Sequence, residues 1–273
     1  MRYIFLLFFT INLFAYERII ALSPSINEII YALGDGEKIV GNTTFCNYPE
    51  DAKNKPKVGG YFSPSLEKIL SLKPELVIMQ NSSIKLSKKL QKLGIKTKVV
   101  KLTTLQDIKD TIVQIGLILD KSSKAQEILL SLETKLYQTK NILKDKKILF
   151  VIGHNLKLDS RIFVAGQNLY FDDIINQSGN TNAFQSKRAG QPILNMENII
   201  ATDADIVILL APFRKQKKFT KEQLINPWLD LPISAAKTKD IYVLDKEYAG
   251  ISSHRLIYFL EDFKGFLQDA KNK

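Results

Sequence analysis

Ser122–Leu143, SSKAQEILLSLETKLYQTKNIL, sets the architecture. Its apolar residues Ala125, Ile128, Leu129, Leu132, Leu136 and Leu143 fall on one face of a helix. Neither Gly nor Pro interrupts it. A helix of that length would span about 33 Å, enough to bridge two lobes and hold them apart.

The chain alternates strand and helix on both sides of this helix. Upstream, Arg18–Ser23, Lys38–Thr43, Glu75–Met79 and Thr97–Leu102 read as strands. Helical spacing covers Ile26–Leu33, Leu66–Leu72, Ile84–Leu93 and Leu105–Leu119, with stops at Gly34, Pro74 and Gly94. Downstream, Lys147–Ile152, Ile162–Ala165, Asp205–Leu210 and Ile241–Leu244 read as strands; Leu169–Gln177, Met196–Ala201 and Ser252–Ala270 read as helices. Alternating strands and helices predict mainly parallel sheets covered on both faces. The expected fold is α/β: two Rossmann-like lobes, residues 16–120 and 145–273, joined by one long rigid α-helix over residues 121–144.

The two halves echo each other. Ser65-Leu66-Glu67-Lys68-Ile69-Leu70 precedes Glu75-Leu76-Val77-Ile78, and Asn195-Met196-Glu197-Asn198-Ile199-Ile200 precedes Asp205-Ile206-Val207-Ile208, every step offset by 130 residues. Likewise, Glu28-Ile29-Ile30 before Gly34 matches Asp173-Ile174-Ile175 before Gly179. Two such matches in the same order point to duplicated lobes.

Residues 1–15 stand apart. Arg2 precedes an apolar run, Ile4 to Phe9 and Ile11 to Phe14, broken by Thr10, that Ala15 closes with a small side chain. That is the shape of a cleavable secretory signal peptide, and it is short for a membrane span of roughly 20 residues. No cysteine follows the run, so no lipid anchor is indicated, and a periplasmic, secreted chain is expected. Cys46 is the lone cysteine, so no intramolecular disulfide can form; one thiol alone makes a poor metal site.

The formal net charge is +11, or +10 once Arg2 leaves with the leader. The lysines are spread as singles and pairs; the longest cluster is Arg214, Lys215, Lys217 and Lys218. Nucleic acid would want a focused basic stripe with aromatics between, so none is expected as a partner. A soluble monomer with some attraction for anions and acidic membrane faces fits the composition.

Ligands of open α/β sheets sit outside the carboxyl ends of the strands. The loops there hold Ser23, Pro24 and Ser25; Phe45, Cys46 and Tyr48; Gly59, Gly60 and Tyr61; Gln80, Asn81 and Ser82; His154; Gln191 and Pro192; Ala211–Arg214; and Glu247–His254, which includes Tyr248. Aromatic and neutral polar groups dominate, which suits a flat, partly apolar ligand with hydrogen-bonding edges.

No catalytic set emerges. His-Glu-x-x-His, Gly-x-Ser-x-Gly and the phosphate-binding glycine loop are absent, so no catalytic residue, resident metal or cofactor is assigned. His254 is either a packing residue at a helix start or a ligand contact in a cleft loop, and His154 is similar. Glu67 and Glu197 each fall in the first turn of a short helix, where acids gain about 0.3–1 kcal/mol from the helix dipole. Exposed at matching points of two lobes, they could also grip basic pockets on a two-fold symmetric partner.

Arg18–Ile29, RIIALSPSINEI, then Tyr48–Ala52, YPEDA, then Lys57–Ile78, KVGGYFSPSLEKILSLKPELVI, resemble the helical-backbone substrate-binding proteins of bacterial ABC importers, which serve vitamin B12, iron-siderophores and haem. The resemblance spans nearly the whole chain after the leader, strongest over Arg18–Ile78. It implies lobes that close little on binding, and Glu67 and Glu197 docked on arginines of an inner-membrane permease. It also implies pocket positions at Tyr48, Tyr61, Phe163, Gln191 (in place of an aromatic) and Glu247. Ile251 stands where a B12 binder has arginine, and Gly60 where haem binders have their iron-ligating tyrosine. Siderophore binders use arginines, for which Arg188, Arg214 and Arg255 are available. The expected ligand is a corrinoid, with a ferric siderophore or haem as the alternative. An exported hydrolase using His154 or His254, or a ligand-sensing partner of a membrane receptor, are readings from other classes.

Overall fold

The computed structural model describes residues 16–153, 156–158, 161–186 and 191–273. The leader, His154 and Arg188 lie outside the described residues.

The first half runs β1 (Ile19–Ala21), α1 (Pro24–Ala32), β2 (Ile39–Asn42), α2 (Glu50–Asn54), α3 (Leu66–Ser71), β3 (Leu76–Gln80), α4 (Ile84–Lys92), β4 (Lys96–Val100) and α5 (Leu105–Ile118). Its strands form one sheet in the order β2-β1-β3-β4, every pair parallel. Ile19, Ile20 and Ala21 are all fully buried, so β1 is covered on both faces and needs an uninterrupted apolar run. Ser23 caps α1, its hydroxyl accepting from the Ile26 amide at 3.2 Å, and Pro24 opens the helix where no amide partner is needed.

The linking helix α6 is Ser122–Thr139, 18 residues or about 27 Å, shorter than the 22 that the apolar pattern allows. Lys140 leaves helical geometry and Asn141 takes a positive φ of 60°, its amide donating instead to the Ser178 carbonyl at 2.9 Å. Ile142 and Leu143 therefore pack on the core from a loop, not from the helix.

The second half follows as β5 (Lys147–Ile152), β6 (Ile162–Val164), α7 (Tyr170–Gln177), β7 (Thr181–Asn182), β8 (Ile193–Leu194), α8 (Met196–Thr202), β9 (Ile206–Leu210), α9 (Lys221–Leu229), α10 (Ser234–Thr238), β10 (Ile241–Leu244) and α11 (Leu256–Lys271). Its sheet has the order β10-β9-β5-β6-β8, with β7 also pairing to β5. The β10, β9, β5 and β7 pairings are parallel; β6 runs antiparallel to β5 and to β8. The fold is the expected α/β architecture with two parallel-rich sheets.

Helix α6 does not stand free. Its buried face, Ala125, Leu132 and Leu136, packs between α5 and α11. The buried cluster beneath it runs unbroken from Ile19, Ile30 and Ile112 on one side to Phe150, Ile174 and Phe259 on the other. Separation of the halves is thus confined to the opposite side, where the strand ends face a cleft. Lys109–Glu133 at 3.4 Å and Lys135–Glu261 tie α6 outwardly to both neighbours. These exposed pairs are worth little each.

Candidate ligand-binding site

Loops that follow the parallel strands of both sheets converge on one crevice. Pro24 and Glu28 come from α1, and Phe45, Asn47 and Tyr48 from the loop after β2. Across from them stand Phe213 and Gln216 after β9, and Glu247, Ile251 and Arg255 after β10. The crevice encloses about 80 Å³. Organic ligands fill pockets of roughly 300–1,000 Å³. A ligand of that size would have to lie across the mouth, where Phe45 and Phe213 are 60% and 51% exposed.

The floor is a buried polar knot that joins the two halves. Arg255 Nη1 donates to Glu28 Oε1 at 3.0 Å, and Ser253 Oγ donates to Glu28 Oε2 at 2.5 Å. Burial pushes the Glu28 carboxyl above the usual range; the Ser253 hydrogen bond and the Arg255 charge pull the other way and only partly offset it. The Arg255 guanidinium lies 3.9 Å from the centre of the Tyr48 ring and 5.3 Å from that of Tyr248, a cation–π arrangement. Arg255 Nε is buried without a partner.

Tyr48 is held by its loop. Asn27 Nδ2 donates to the Tyr48 carbonyl at 3.0 Å, and Asn42 Nδ2 donates to Asn27 Oδ1 at 3.0 Å and to the Ala52 carbonyl at 2.9 Å. Lys57 Nζ donates to Asn42 Oδ1 at 2.8 Å, to the Ala52 carbonyl at 2.8 Å and to the Cys46 carbonyl at 3.2 Å. Three ammonium protons thus meet three neutral oxygens, and burial pulls the Lys57 amine below its usual range. Cys46 is buried, with Thr43 Oγ1 3.3 Å from its sulfur, and burial raises its thiol. It is a packing residue of this loop.

The anticipated residues fall into three groups. Tyr48 and Glu247 line the crevice. Tyr248, Arg214 and His254 lie next to it but are turned to other work. The Tyr248 hydroxyl donates to Asp262 of α11 at 2.5 Å. Arg214 Nε and Nη2 donate to Asp245 at 2.9 and 2.5 Å, and Nη1 to the Phe219 carbonyl at 2.6 Å. Burial alone would raise the Asp245 carboxyl, but those bonds and the Arg214 charge hold it below the usual range. His254 precedes Arg255; its Nδ1 is buried without a partner, and burial, then the Arg255 charge, push it down to about 4.

Tyr61, Phe163 and Gln191 do not line the crevice. Tyr61 donates to Gln80 Oε1 at 2.9 Å, at the carboxyl end of β3, and its ring meets Phe62 edge-on at 4.5 Å. Phe163 sits opposite Ile193 across β6 and β8, both partly exposed, and Gln191 is exposed just before β8.

Glu67 and Glu197 occupy equivalent places, each the second residue of a short helix that feeds the next strand. Ser65 Oγ accepts from the Lys68 amide at 3.3 Å, and Asn195 Oδ1 from the Asn198 amide at 2.8 Å. The backbone ends are capped by other residues, so both exposed carboxylates are free of that duty.

Glu28, and its pairing with Arg255, is what the sequence reading passed over. Glu28 interrupts the apolar helix Ile26, Ile29, Ile30, and an acid on a buried face needs a buried partner. That was a legible signal; the identity of the partner, 227 residues away, was not.

The chain matches the family model described as "Periplasmic binding protein" over residues 19–248. It is 29% identical over 272 residues to the vitamin B12-binding protein of Vibrio vulnificus, covering 94% of this chain and 92% of the relative. The vitamin B12-binding protein of Vibrio parahaemolyticus is 28% identical over 271 residues, covering 94% and 91%. Among solved structures, the periplasmic vitamin B12 binding protein BtuF of Vibrio cholerae superposes with a TM-score of 0.79 at 21% identity, covering 95% and 99% of the two chains. The periplasmic heme-binding protein BhuT with two hemes gives 0.76 at 22% identity, covering 93% and 98%. The siderophore binding protein BauB gives 0.77 at 20% identity, covering 93% of each chain. At those identities the structures speak for the fold alone. A binding-protein family sets aside the hydrolase reading. The chain belongs to the periplasmic binding protein family and is a substrate-binding protein of an ABC importer.

Proposed function

We propose that the chain captures a corrinoid, a vitamin B12-like ligand, in the cleft between its halves and delivers it to an importer permease. The observation that carries this reading is an aromatic crevice in which Arg255, the one cation among its described lining residues, is already paired with Glu28. A broad ring system of little net charge can lie on Phe45, Tyr48 and Phe213 and meet the amides of Asn47 and Gln216 at its edges. A polyanionic chelate would demand unpaired cations in the wall itself, and the described lining residues offer none; Lys215 and Lys217 stand outside that wall, on the rim. Similarity to vitamin B12-binding proteins over nearly the whole chain supports the same choice. A ferric siderophore or haem is the second reading, favoured by solved structures of the same fold that carry those ligands.

The reading takes residues 1–15 as a secretory leader and the periplasm as the place of work. It takes residues 16–120 and 145–273 as lobes, with 121–144 as the link, and Glu67 and Glu197 as the permease-docking pair. Calorimetric titration with cyanocobalamin, haemin and a ferric siderophore tests it. One-to-one binding of cyanocobalamin is expected, weakened about tenfold by Tyr48→Ala. Binding of an iron chelate alone would move the function to the second reading. Binding of none would remove both.

A further inference from the structure

A second repeat lies outside the cleft. Strand β3, Leu76–Gln80, and strand β9, Ile206–Leu210, are separated by the 130 residues that separate Glu67 from Glu197. Beyond β3 come Lys85, Lys88 and Lys89; beyond β9 come Lys215, Lys217 and Lys218. Lys85 matches Lys215, and Lys88 matches Lys218, in the same register. All six are exposed. No acid occurs between Glu75 and Asp107, or between Asp205 and Glu222. Among the described residues none of the six forms an ion pair; Asp245, whose field reaches Lys215, is spent on Arg214.

Both clusters start from the carboxyl end of a parallel strand, the end of the fold that bears the cleft. Lys215 and Lys217 flank Gln216 on the crevice rim. On the other half, the cluster starts at the head of α4. Glu67 and Glu197 sit at the heads of α3 and α8, which run back down before β3 and β9, so they lie at that same end.

We propose that the two lysine clusters form a docking surface for an anionic phospholipid bilayer, laid against the cleft-bearing end of the protein. The clusters belong to different sheets, one beyond β3 and one beyond β9, and an extended anionic plane is the partner that can engage both. The inference rests on membership in an importer family, whose permease sits in a bilayer, and not on which ligand is carried. Each lysine near an anionic leaflet is worth about 1 kcal/mol, roughly fivefold in affinity, and the attraction falls off within a Debye length.

The test is co-sedimentation of the chain from Tyr16 onward, since the apolar leader would bind lipid by itself, with phosphatidylglycerol vesicles and with phosphatidylcholine vesicles. Binding to the anionic vesicles should be at least about tenfold stronger, and salt should abolish the difference. The triple variants K85Q/K88Q/K89Q and K215Q/K217Q/K218Q should each weaken it about tenfold or more. A control triple at the exposed Lys140, Lys144 and Lys271 should weaken it less than either. Equal binding to both vesicles would overturn the proposal. So would a control triple that loses as much, or double-stranded DNA competing as well as lipid at equal charge. Circular dichroism confirms that each variant is folded. No ligand is present in the assay, so its failure leaves the corrinoid reading standing.

Discussion

Arg255, from the turn that opens the last helix, holds Glu28 of the first helix at 3.0 Å, with both side chains almost fully buried. The pair closes the floor of the cleft from opposite halves of the chain. Ser25 and Ser252 meet beside it, hydroxyl to hydroxyl, at 3.1 Å. A buried pair of this kind adds little beyond what well-packed apolar residues would, but breaking it strands a charge.

Arg255→Met should therefore cost about 3–5 kcal/mol at neutral pH. The loss should shrink in mild acid. The folded-state pKa of Glu28 is already raised by burial, and removing the Arg255 charge raises it further. A raised carboxyl lets the folded state take up a proton before the unfolded state does, so acidification offsets the stranded charge. Glu28→Gln combined with Arg255→Met should recover part of the loss at neutral pH. Urea denaturation of the parent and both variants at neutral and mildly acidic pH is the check. An Arg255→Met penalty that does not change with pH would contradict it.

His254 gives the opposite slope. Its imidazole is pushed down to about 4, against 6.5 for a free histidine, so the unfolded chain binds the extra proton first. Its contribution is fully present above about 6.5 and is lost as the pH falls toward 4, up to about 3 kcal/mol. His254→Leu should flatten the stability curve in that window, because the buried, unpartnered Nδ1 disappears with the charge. Melting temperatures of the two proteins compared across that range decide it; parallel curves would exclude His254 as the source.

The link between α5 and α6 was legible as helix periodicity, but its closeness was not. A Cβ on Gly116 would lie 2.6 Å from the Ala125 Cβ, so the helices touch at this point. Gly116→Ala should cost about 1–3 kcal/mol by overpacking. Ala125→Gly in the same chain should return part of it, although Gly inside a helix costs up to about 1 kcal/mol. Chemical denaturation of the two single variants and the double variant gives the coupling; additive losses would mean that the two positions do not meet.

Most of the strands were readable because burial on both faces demands apolar runs, as in β1, β3 and β9, and the long helices because a single buried face recurs at helical spacing, as in α6. The antiparallel β6 and β8 were not readable as such, since three- and two-residue strands carry no direction in their pattern. The site was half legible. Tyr48 and Glu247 could be placed from the rule that loops after strands hold ligands. Arg214 could not be separated from a free arginine, because Asp245 is brought to it only by the pairing of β10 with β9. The shared core under α6 was equally hidden: a helical face names what it buries, not how many neighbours share it.

Glu67 and Glu197 allow a sharp separation of docking from binding. Both are exposed, neither caps its helix, and neither lines the crevice. Replacing each with Ala should therefore cost under about 1 kcal/mol of stability, the most that a helix-end charge supplies at such a site. Ligand affinity should stay within about twofold, which is about 0.4 kcal/mol. If the two carboxylates dock on cations of the permease, uptake of labelled ligand by cells should fall at least about tenfold in the double variant, with each single variant intermediate. Lysine at both positions should be worse than alanine, since like charges then oppose. Normal uptake in the double alanine variant, with the protein folded and exported at parental levels, would end the docking assignment. A loss of affinity in the purified double variant would instead place these residues in the ligand's path.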